Sequence, residues 1–308
     1  MTTHTAIKTS AWVERVRALA PIVETWRDAG EQERHMPRPL FEALRDTGVF
    51  TMSVPKAVGG VEVEEETIVQ VIEELARQDG SVGWNVMIAS GAAVAASYLP
   101  EAGLKEVYRG GPSTVIAGAL LPKGAAIPVP GGFQLTGHWT FASGCHQADW
   151  MLGSSTVMAQ GTPRLRPDGS PDVRAFFVPV VACEILDTWH TAGLRGTGSH
   201  DWQVADVFVP QEQSVPILRD GPSEPGSLAI RDFVAFAGPR VAAVALGIAR
   251  AALDAFTALA RTKTPVLATS PLATQPTTHE RVGRAEALWL AGRAFLYERT
   301  GCEFRQST

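Results

Sequence analysis

The chain is poor in cysteine and has no excess of basic residues. Its 308 residues include only 3 cysteines, at positions 145, 183 and 302, which argues against a disulfide framework and fits a reducing compartment. A formal net charge of −5 argues against nucleic acid as a partner. The N-terminus lacks the apolar core and small-residue cleavage site of a signal peptide, so we expect a cytoplasmic protein.

Several familiar catalytic and metal-binding patterns are missing as well. No GxSxG, HxH, HExxH or CxxC spacing occurs in the sequence. Ser143 and His146 stand three positions apart in FASGCHQ, but nucleophile and base are normally brought together by the fold rather than by sequence proximity. We therefore expect Cys145 to be structural and His146 to be a surface residue.

What the sequence does contain is helical periodicity over its first hundred residues. The first apolar run is interrupted by Pro21, which predicts a kink or two short helices. A second helix should end at Gly48, a third at Asp79, and a fourth should begin near Ser81 and be buried. In the third helix, the glutamates at 65, 66, 73 and 74 should lie largely opposite the apolar face.

The middle of the chain changes to a period of two. In GGFQLTGHWTFASG, the apolar residues Phe133, Leu135, Trp139 and Phe141 share one parity, as in a half-buried strand. Further strands are predicted at 114–120, 149–158, 173–181 and 202–209, with 161–172 as a polar loop. Proline and glycine recur between these segments, which indicates a β-barrel or sandwich.

Helical periodicity returns from about Ser227. A long apolar stripe over 241–259 predicts a buried helix rather than a membrane span, because charged residues interrupt it. A second helix is predicted over 279–299. Segregated helical and strand regions indicate an α+β fold. We divide it into an N-terminal helical domain (1–111), a middle β-domain (112–215) and a partial C-terminal helical bundle (226–308).

Two segments of the middle region are candidates for a binding site. GLRGTGSHD (193–201) has GxxGxG spacing and lies between predicted strands, so it does not fit a strand–GxGxxG–helix dinucleotide site. We expect a turn there, with Arg195 and the hydroxyl groups facing a ligand or partner. After Trp139 the strand ends in small residues, where a flat ring could lie against the indole while Ser143 Oγ binds its edge.

Taken together, these segments resemble the acyl-CoA dehydrogenase superfamily. ELARQDGSVGW and GHWTFASGCHQADW are similar to its fourth-helix start and its flavin strand, and VFVP to the strand that leaves its β-domain. The FASGCH ending and DTWHTAGLRGTGSHDWQV are closer to its two-component flavin-dependent monooxygenase branch, the group D hydroxylases. Family members continue for further helices beyond Thr308, so the resemblance also implies an incomplete bundle.

The resemblance implies a cofactor, a set of site residues and partners. The cofactor would be reduced FMN or FAD, delivered by a separate flavin reductase to a homotetramer. Ser143, the candidate catalytic residue, would lie near flavin N5 or O4, and Trp84 and Arg195 would lie near the substrate. The residues implied to contact flavin are Trp139, Thr140, Phe141, Ala142, Ser143 and, from a neighbouring subunit, Arg261.

Three functional hypotheses follow. The first is a monooxygenase that uses reduced flavin and oxygen to hydroxylate or N-oxygenate a small organic substrate. The protein would supply geometry and exclude water, while the flavin supplies the oxygen chemistry. The second is an FAD-dependent acyl-CoA dehydrogenase, which needs a carboxylate base that the sequence does not offer at a matching position. The third is a non-catalytic paralogue or fragment that keeps the fold.

Overall fold

The computed structural model describes residues 10–216 and 233–306, in the order helices, strands, helices. The helices are α1 (Ala11–Arg17), α2 (Ala20–Glu33), α3 (Arg38–Asp46), α4 (Glu65–Gln78), α5 (Gly80–Ala96), α6 (Glu101–Val107), α7 (Phe233–Thr262) and α8 (Pro276–Gln306). The strands are β1 (Ile116–Val129), β2 (Gly132–Ala142), β3 (Trp150–Ala159), β4 (Thr162–Pro163), β5 (Val173–Pro179), β6 (Glu184–Leu186), β7 (His200–Pro210) and β8 (Ser214–Pro216). The predicted domain start at 226 lies outside the described residues.

The helix boundaries in the first hundred residues follow local chemistry. The break predicted near Pro21 is confirmed, since α1 ends at Arg17 and α2 begins with Pro21 in its first turn, where a missing N–H is tolerated. The start of α5 is capped by Asp79, whose carboxylate accepts the backbone N–H groups of Ser81 and Val82 at 2.8 and 3.2 Å. This cap fixes the end of α5 that carries Trp84.

Helix α4 is enclosed on more sides than its sequence indicates. Glu73 and Glu74, expected on the face opposite the apolar one, are each only 8% exposed. Glu73 accepts a hydrogen bond from Arg293 Nε at 2.6 Å and another from the Tyr297 hydroxyl, and both donors belong to α8. The polar face of α4 therefore contacts α8, which pairs the charge of Glu73, while Glu74 is paired by Arg17 of α1 and Arg77.

The strands form one sheet with the order β6-β7-β2-β1-β3-β5-β8, and β4 pairs with β3. The pair β1–β3 is parallel and the others are antiparallel. All five predicted strands are present. However, β1 continues to Val129 instead of ending at 120, and β6, β8 and the two-residue β4 were not predicted. Strands of two or three residues are too short to show an alternating pattern.

Helix α7 is less buried than predicted. It packs closely on α4, because a Cβ added to Gly247 would lie 2.4 Å from the Glu73 carbonyl oxygen. Its other faces carry exposed apolar side chains, including Phe256 and Leu259. The segment Ala237–Thr262 is long and apolar enough to cross a membrane by length and composition, and 17% of its most apolar window is buried. The prediction of a buried helix is therefore wrong for most of its surface.

Candidate functional site

The predicted site lies where β2 ends beside α5, and a β-bulge shapes it. Trp139 pairs with Trp202 of β7, but the next pair is Ala142 with His200, so β2 holds one extra residue. At this bulge Phe141 adopts a left-handed backbone with φ of 64°, and its side chain is 62% exposed. The prediction that Phe141 shares the buried face of Trp139 is wrong, because the bulge breaks the alternation.

Just after the bulge, Ser143 joins two elements through its hydroxyl group. The indole Nε1–H of Trp84, on α5, donates to Ser143 Oγ at 2.9 Å. On the other side, Ser143 Oγ lies 2.7 Å from Ser199 Oγ, which in turn lies 2.6 Å from Thr197 Oγ1. All three hydroxyl-bearing residues are at most 4% exposed. We call Ser143, Ser199 and Thr197 the hydroxyl relay.

The segment that carries Thr197 and Ser199 is the predicted turn between two strands. It links β6 to β7, with a 3₁₀ turn at Arg195–Thr197 between left-handed residues at Leu194 and Gly198. The Thr197 carbonyl accepts the backbone N–H of Gly144 at 2.8 Å. This bond holds the turn against the end of β2. It thereby brings the hydroxyl groups of the turn close to Ser143.

Cys145 and His146 do not form a nucleophile with its base. Cys145 is 1% exposed, and burial raises the pKa of its thiol to about 12, so the thiolate is not formed at neutral pH. Its Sγ donates to the Gly198 carbonyl oxygen at 3.3 Å. The prediction of a structural cysteine next to a surface histidine is confirmed, because His146 reaches the surface, although its ring also packs against His35 and His200.

His146 belongs to a cluster of imidazole rings at the contact between α2 and the sheet. Its ring centroid lies 4.6 Å from that of His35 and 5.0 Å from that of His200. Desolvation, and then the charges of His35 and His200, lower the pKa of His146 to about 4. Among the described residues, no group of three or more His, Cys, Asp or Glu side chains is arranged to hold a metal ion.

A cleft of about 380 Å³ lies away from Ser143 and contains none of the predicted site residues. It is lined by Val13, Arg17, Gln70, Glu73, Glu74, Arg77, Arg250, Trp289 and Arg293. Its charged groups pair with one another, as in the Glu74–Arg77 contact at 2.8 Å. We therefore interpret this cleft as part of the packing between the N- and C-terminal helices.

Comparison with known proteins identifies the family. The acyl-CoA dehydrogenase N-terminal domain matches residues 3–108, and the C-terminal domain matches residues 240–307. Indole-3-acetate monooxygenase of Pseudomonas putida is 34% identical over 269 residues, which cover 87% of this chain and 67% of that protein. The chain belongs to the acyl-CoA dehydrogenase superfamily.

Two further relatives agree with this acyl-CoA dehydrogenase-like assignment. HsaA of Mycobacterium tuberculosis, a flavin-dependent monooxygenase oxygenase subunit, is 33% identical over 63% of this chain and 48% of that protein. Its crystal structure has a TM-score of 0.84 at 25% identity, covering 96% of this chain and 76% of that one. XiaF from Streptomyces sp., solved with FADH2 and glycerol, has a TM-score of 0.85 at 26% identity, covering 96% of this chain and 74% of that one. The predicted fold class is confirmed.

The side chain of Trp139 is more buried in this superfamily member than the sequence led us to expect. Its indole is fully buried, stacks on Trp202 at 4.2 Å between ring centroids, and donates from Nε1 to the Ser154 carbonyl at 2.7 Å. It therefore has no exposed face against which a flat ring could lie. The exposed aromatic ring at this end of β2 is Phe141, which meets the half-buried Trp189 edge-on at 6.2 Å.

The other predicted site residues lie in different environments, two of them at the end of β2 just before Ser143 and the two arginines elsewhere. Thr140 is half-buried and Ala142 is fully buried, so they offer backbone groups more readily than side chains. Arg195 donates to the backbone carbonyl oxygens of Glu31 at 2.7 Å and Thr191 at 3.0 Å, which places it in the contact with α2. Arg261 is exposed in the last turn of α7. Their cofactor and substrate roles stay predictions.

Sequence reasoning missed how Ser199 and Thr197 reach Ser143. Their hydroxyl groups were expected to face a ligand or partner, whereas in the structure Ser199 contacts Ser143 and Thr197 contacts Ser199. The only signal in the sequence was the group of hydroxyl residues in GTGSH, 54 or more positions after Ser143. Pairing across such a distance is decided by the register of β2 with β7.

Proposed function

We propose that this chain is the oxygenase component of a two-component flavin monooxygenase, which hydroxylates or N-oxygenates a small organic substrate. The observation that carries the proposal is Ser143, which follows the end of β2, binds Trp84 through its hydroxyl group and lies two residues after the exposed Phe141. It is supported by relatives that are themselves named flavin-dependent monooxygenases. Reduced FMN or FAD, when bound, would supply the electrons and activate oxygen.

The residues present fit a flavin edge at this position. Ser143 Oγ has two lone pairs and one proton, and its two protein contacts leave one of these three sites free. Phe141, two residues before Ser143, offers an exposed flat ring. Thr140 and Ala142 supply backbone groups between them. We therefore assign Thr140, Phe141, Ala142 and Ser143 to flavin binding and place Trp139 beneath them as support.

Each of these side chains has a distinct task. Ser143 binds and orients the ring edge, and Trp84 holds the Ser143 hydroxyl from the α5 side. Phe141 covers a ring face and keeps water away, which favours transfer of oxygen to substrate over release of hydrogen peroxide. Trp84 and Arg195 would border the substrate. Because Arg195 is already bound to α2, its role there would be to shape the pocket.

The same proposal includes a partner protein, an oligomeric state and a cellular compartment. A separate flavin reductase would deliver the reduced cofactor, since the HsaA relative is named an oxygenase subunit. Exposed apolar side chains on α7 and α8, among them Leu259, Leu288 and Phe295, support a homotetramer in which Arg261 reaches a neighbouring subunit's flavin phosphate. We place the protein in the cytoplasm.

An acyl-CoA dehydrogenase activity is the second candidate, because the domains that match are those of that family. It would require a carboxylate base close to the flavin edge. Within the described residues, no Asp or Glu side chain forms a hydrogen bond with Trp84, Ser143 or Ser199. The monooxygenase is favoured by the relatives that are named flavin-dependent monooxygenases.

The first experiment supplies photoreduced FMN to the anaerobic protein and mixes it with oxygenated buffer in a stopped-flow instrument. Small aromatic acids, beginning with indole-3-acetate, are offered as substrates, and product and hydrogen peroxide are quantified. We expect flavin reoxidation to differ in rate from that of free FMN, and oxygen to appear in the product.

Two results would contradict the proposal. If FMN reoxidises at the rate of free FMN and all oxygen becomes peroxide, with every substrate offered, the chain has no monooxygenase function. If an acyl-CoA instead bleaches bound FAD rapidly under anaerobic conditions, the dehydrogenase activity is correct.

A further inference from the structure

The hydroxyl relay ends on a group that can only accept a hydrogen bond. Thr197 Oγ1 lies 2.8 Å from the carbonyl oxygen of Leu194. A carbonyl oxygen carries no proton, so the Thr197 hydroxyl must be the donor in this contact. Thr197, Ser199 and Ser143 are buried, so bulk water does not compete for these bonds. The direction of the whole relay can therefore be derived from this end.

Each hydroxyl group has a single proton, and the assignment passes from one to the next. Because Thr197 uses its proton on Leu194, the contact of 2.6 Å to Ser199 must be donated by Ser199. Ser199 then has no proton left, so Ser143 donates across the contact of 2.7 Å. Trp84 Nε1–H, which can only donate, occupies one lone pair of Ser143 Oγ.

What remains on Ser143 Oγ is one lone pair and no proton. A group that enters the site therefore meets an acceptor. The flavin N5 atom carries a hydrogen in the reduced ring and none in the oxidised ring, where it is itself an acceptor. A hydrogen-bond acceptor at Ser143 Oγ can therefore bind the N5–H of reduced flavin, whereas it would face a second acceptor at N5 of oxidised flavin.

We infer that Thr197 and Ser199 are positioning residues that set the redox preference of the site, by fixing Ser143 as a hydrogen-bond acceptor toward flavin N5. The inference rests on the proposed function, since it takes flavin as the ligand. Neither residue needs to touch the flavin. The relay would let the oxygenase take up reduced flavin from a reductase and release the oxidised flavin afterwards.

The test measures dissociation constants of photoreduced and oxidised FMN under anaerobic conditions, together with the midpoint potential of bound FMN. In Thr197→Val, which keeps the side-chain shape, Ser199 loses its acceptor but keeps its contact of 2.7 Å with Ser143 Oγ, to which it can donate instead. Ser143 then receives two donors and must direct its own proton toward the ligand. We expect the preference for reduced over oxidised FMN to fall about tenfold, the size of one net hydrogen bond, which equals about 30 mV in midpoint potential.

Two further variants separate the relay from a general structural effect. Thr197→Ser keeps the hydroxyl group and should keep the wild-type ratio of dissociation constants. Ser199→Ala frees the Ser143 proton without forcing its direction, so its ratio should lie between those of wild type and Thr197→Val. Circular dichroism checks the folding of each variant, and Ser199→Ala tests the relay if Thr197→Val does not fold.

The outcomes distinguish this inference from the proposed function. If wild type prefers reduced FMN and both Thr197→Val and Ser199→Ala keep the same ratio, the relay does not set the preference. A wild-type protein that binds oxidised FMN as tightly as reduced FMN also overturns the inference but leaves flavin binding intact. If folded wild type binds neither redox state, the proposed function itself fails.

Discussion

The guanidinium group of Arg240 on α7 binds both carboxylate oxygens of Glu65 at the start of α4, at 2.7 and 2.6 Å. Arg240 is 1% exposed and also donates to Ser90 Oγ on α5 at 2.9 Å. One buried cation thus ties the C-terminal helices to two helices of the N-terminal region. The pair fixes how α7 lies across α4 and α5.

Glu65→Gln should lower the free energy of unfolding by about 3 kcal/mol, because it removes this carboxylate from a buried guanidinium group. Urea unfolding followed by circular dichroism measures the loss. As a control, Glu101→Gln breaks the exposed Glu101–Lys105 pair of α6 and should change the free energy of unfolding far less, because water screens that pair. Equal effects of the two substitutions would show that the Arg240–Glu65 pair has no special weight.

Gly153→Ala should destabilise the sheet, because an added Cβ would lie 2.7 Å from Trp139 and 2.8 Å from Trp202. Overpacking of this kind costs about 1–3 kcal/mol, since the stacked indoles have to move. Gly193→Ala is the matched control, with open space around the position where the Cβ would stand. It should leave the unfolding midpoint unchanged or slightly raised, and a similar fall in both variants would contradict the prediction.

Acid should weaken the fold through the histidine cluster. The pKa of His146 is about 4 in the folded chain, below the value of about 6.5 expected when unfolded. Its neutral form is therefore favoured by folding. The free energy of unfolding should fall as the pH drops from about 6.5 to about 4 and then level off. Arg34 holds the pKa of nearby Asp187 at about 2, so that carboxylate stays ionised throughout.

His146→Gln should flatten part of this pH dependence, measured by urea unfolding at a series of pH values. His279→Gln, on α8 and outside the cluster, serves as the control and should keep the wild-type slope. If His146→Gln shows the same slope as wild type, the acid sensitivity arises elsewhere.

Phe141→Gly should separate stability from cofactor binding. Glycine adopts the left-handed backbone at position 141 without strain, and the exposed ring contributes little buried area, so stability should be unchanged or rise by up to about 1 kcal/mol. The dissociation constant for reduced FMN should rise, because the ring covers the flavin. Gln160→Gly relieves a similar backbone at φ of 50° in the β3–β4 turn and should not alter FMN affinity.

Arg261→Ala tests the proposed contact with a flavin phosphate. Affinity for reduced FMN should fall several-fold, while affinity for reduced riboflavin, which has no phosphate, should be unchanged. Analytical ultracentrifugation measures the assembly state in parallel. Unchanged affinity for FMN in an assembled wild-type protein would remove Arg261 from the site.

Local sequence patterns determined much of the fold. Helical periodicity, Pro21 and the Asp79 cap fix the first helices, because their causes lie within a few residues of the chain. Five strands were likewise predicted, one from its alternation and the others as segments with proline and glycine between them. The motif around Ser143 also indicated the superfamily, which the family match confirms.

Tertiary structure decided the rest, because it depends on partners far apart in sequence. The alternation in β2 predicts Phe141 inside, but the register with β7 inserts a bulge that turns its ring outward and leaves Trp139 in the core. Glu73 on the polar face of α4 is buried where α8 binds it, and Glu74 is buried where Arg17 of α1 and Arg77 pair with it. The hydrogen-bonding state of Ser143 depends on Thr197, which only the folded β6–β7 turn brings into line.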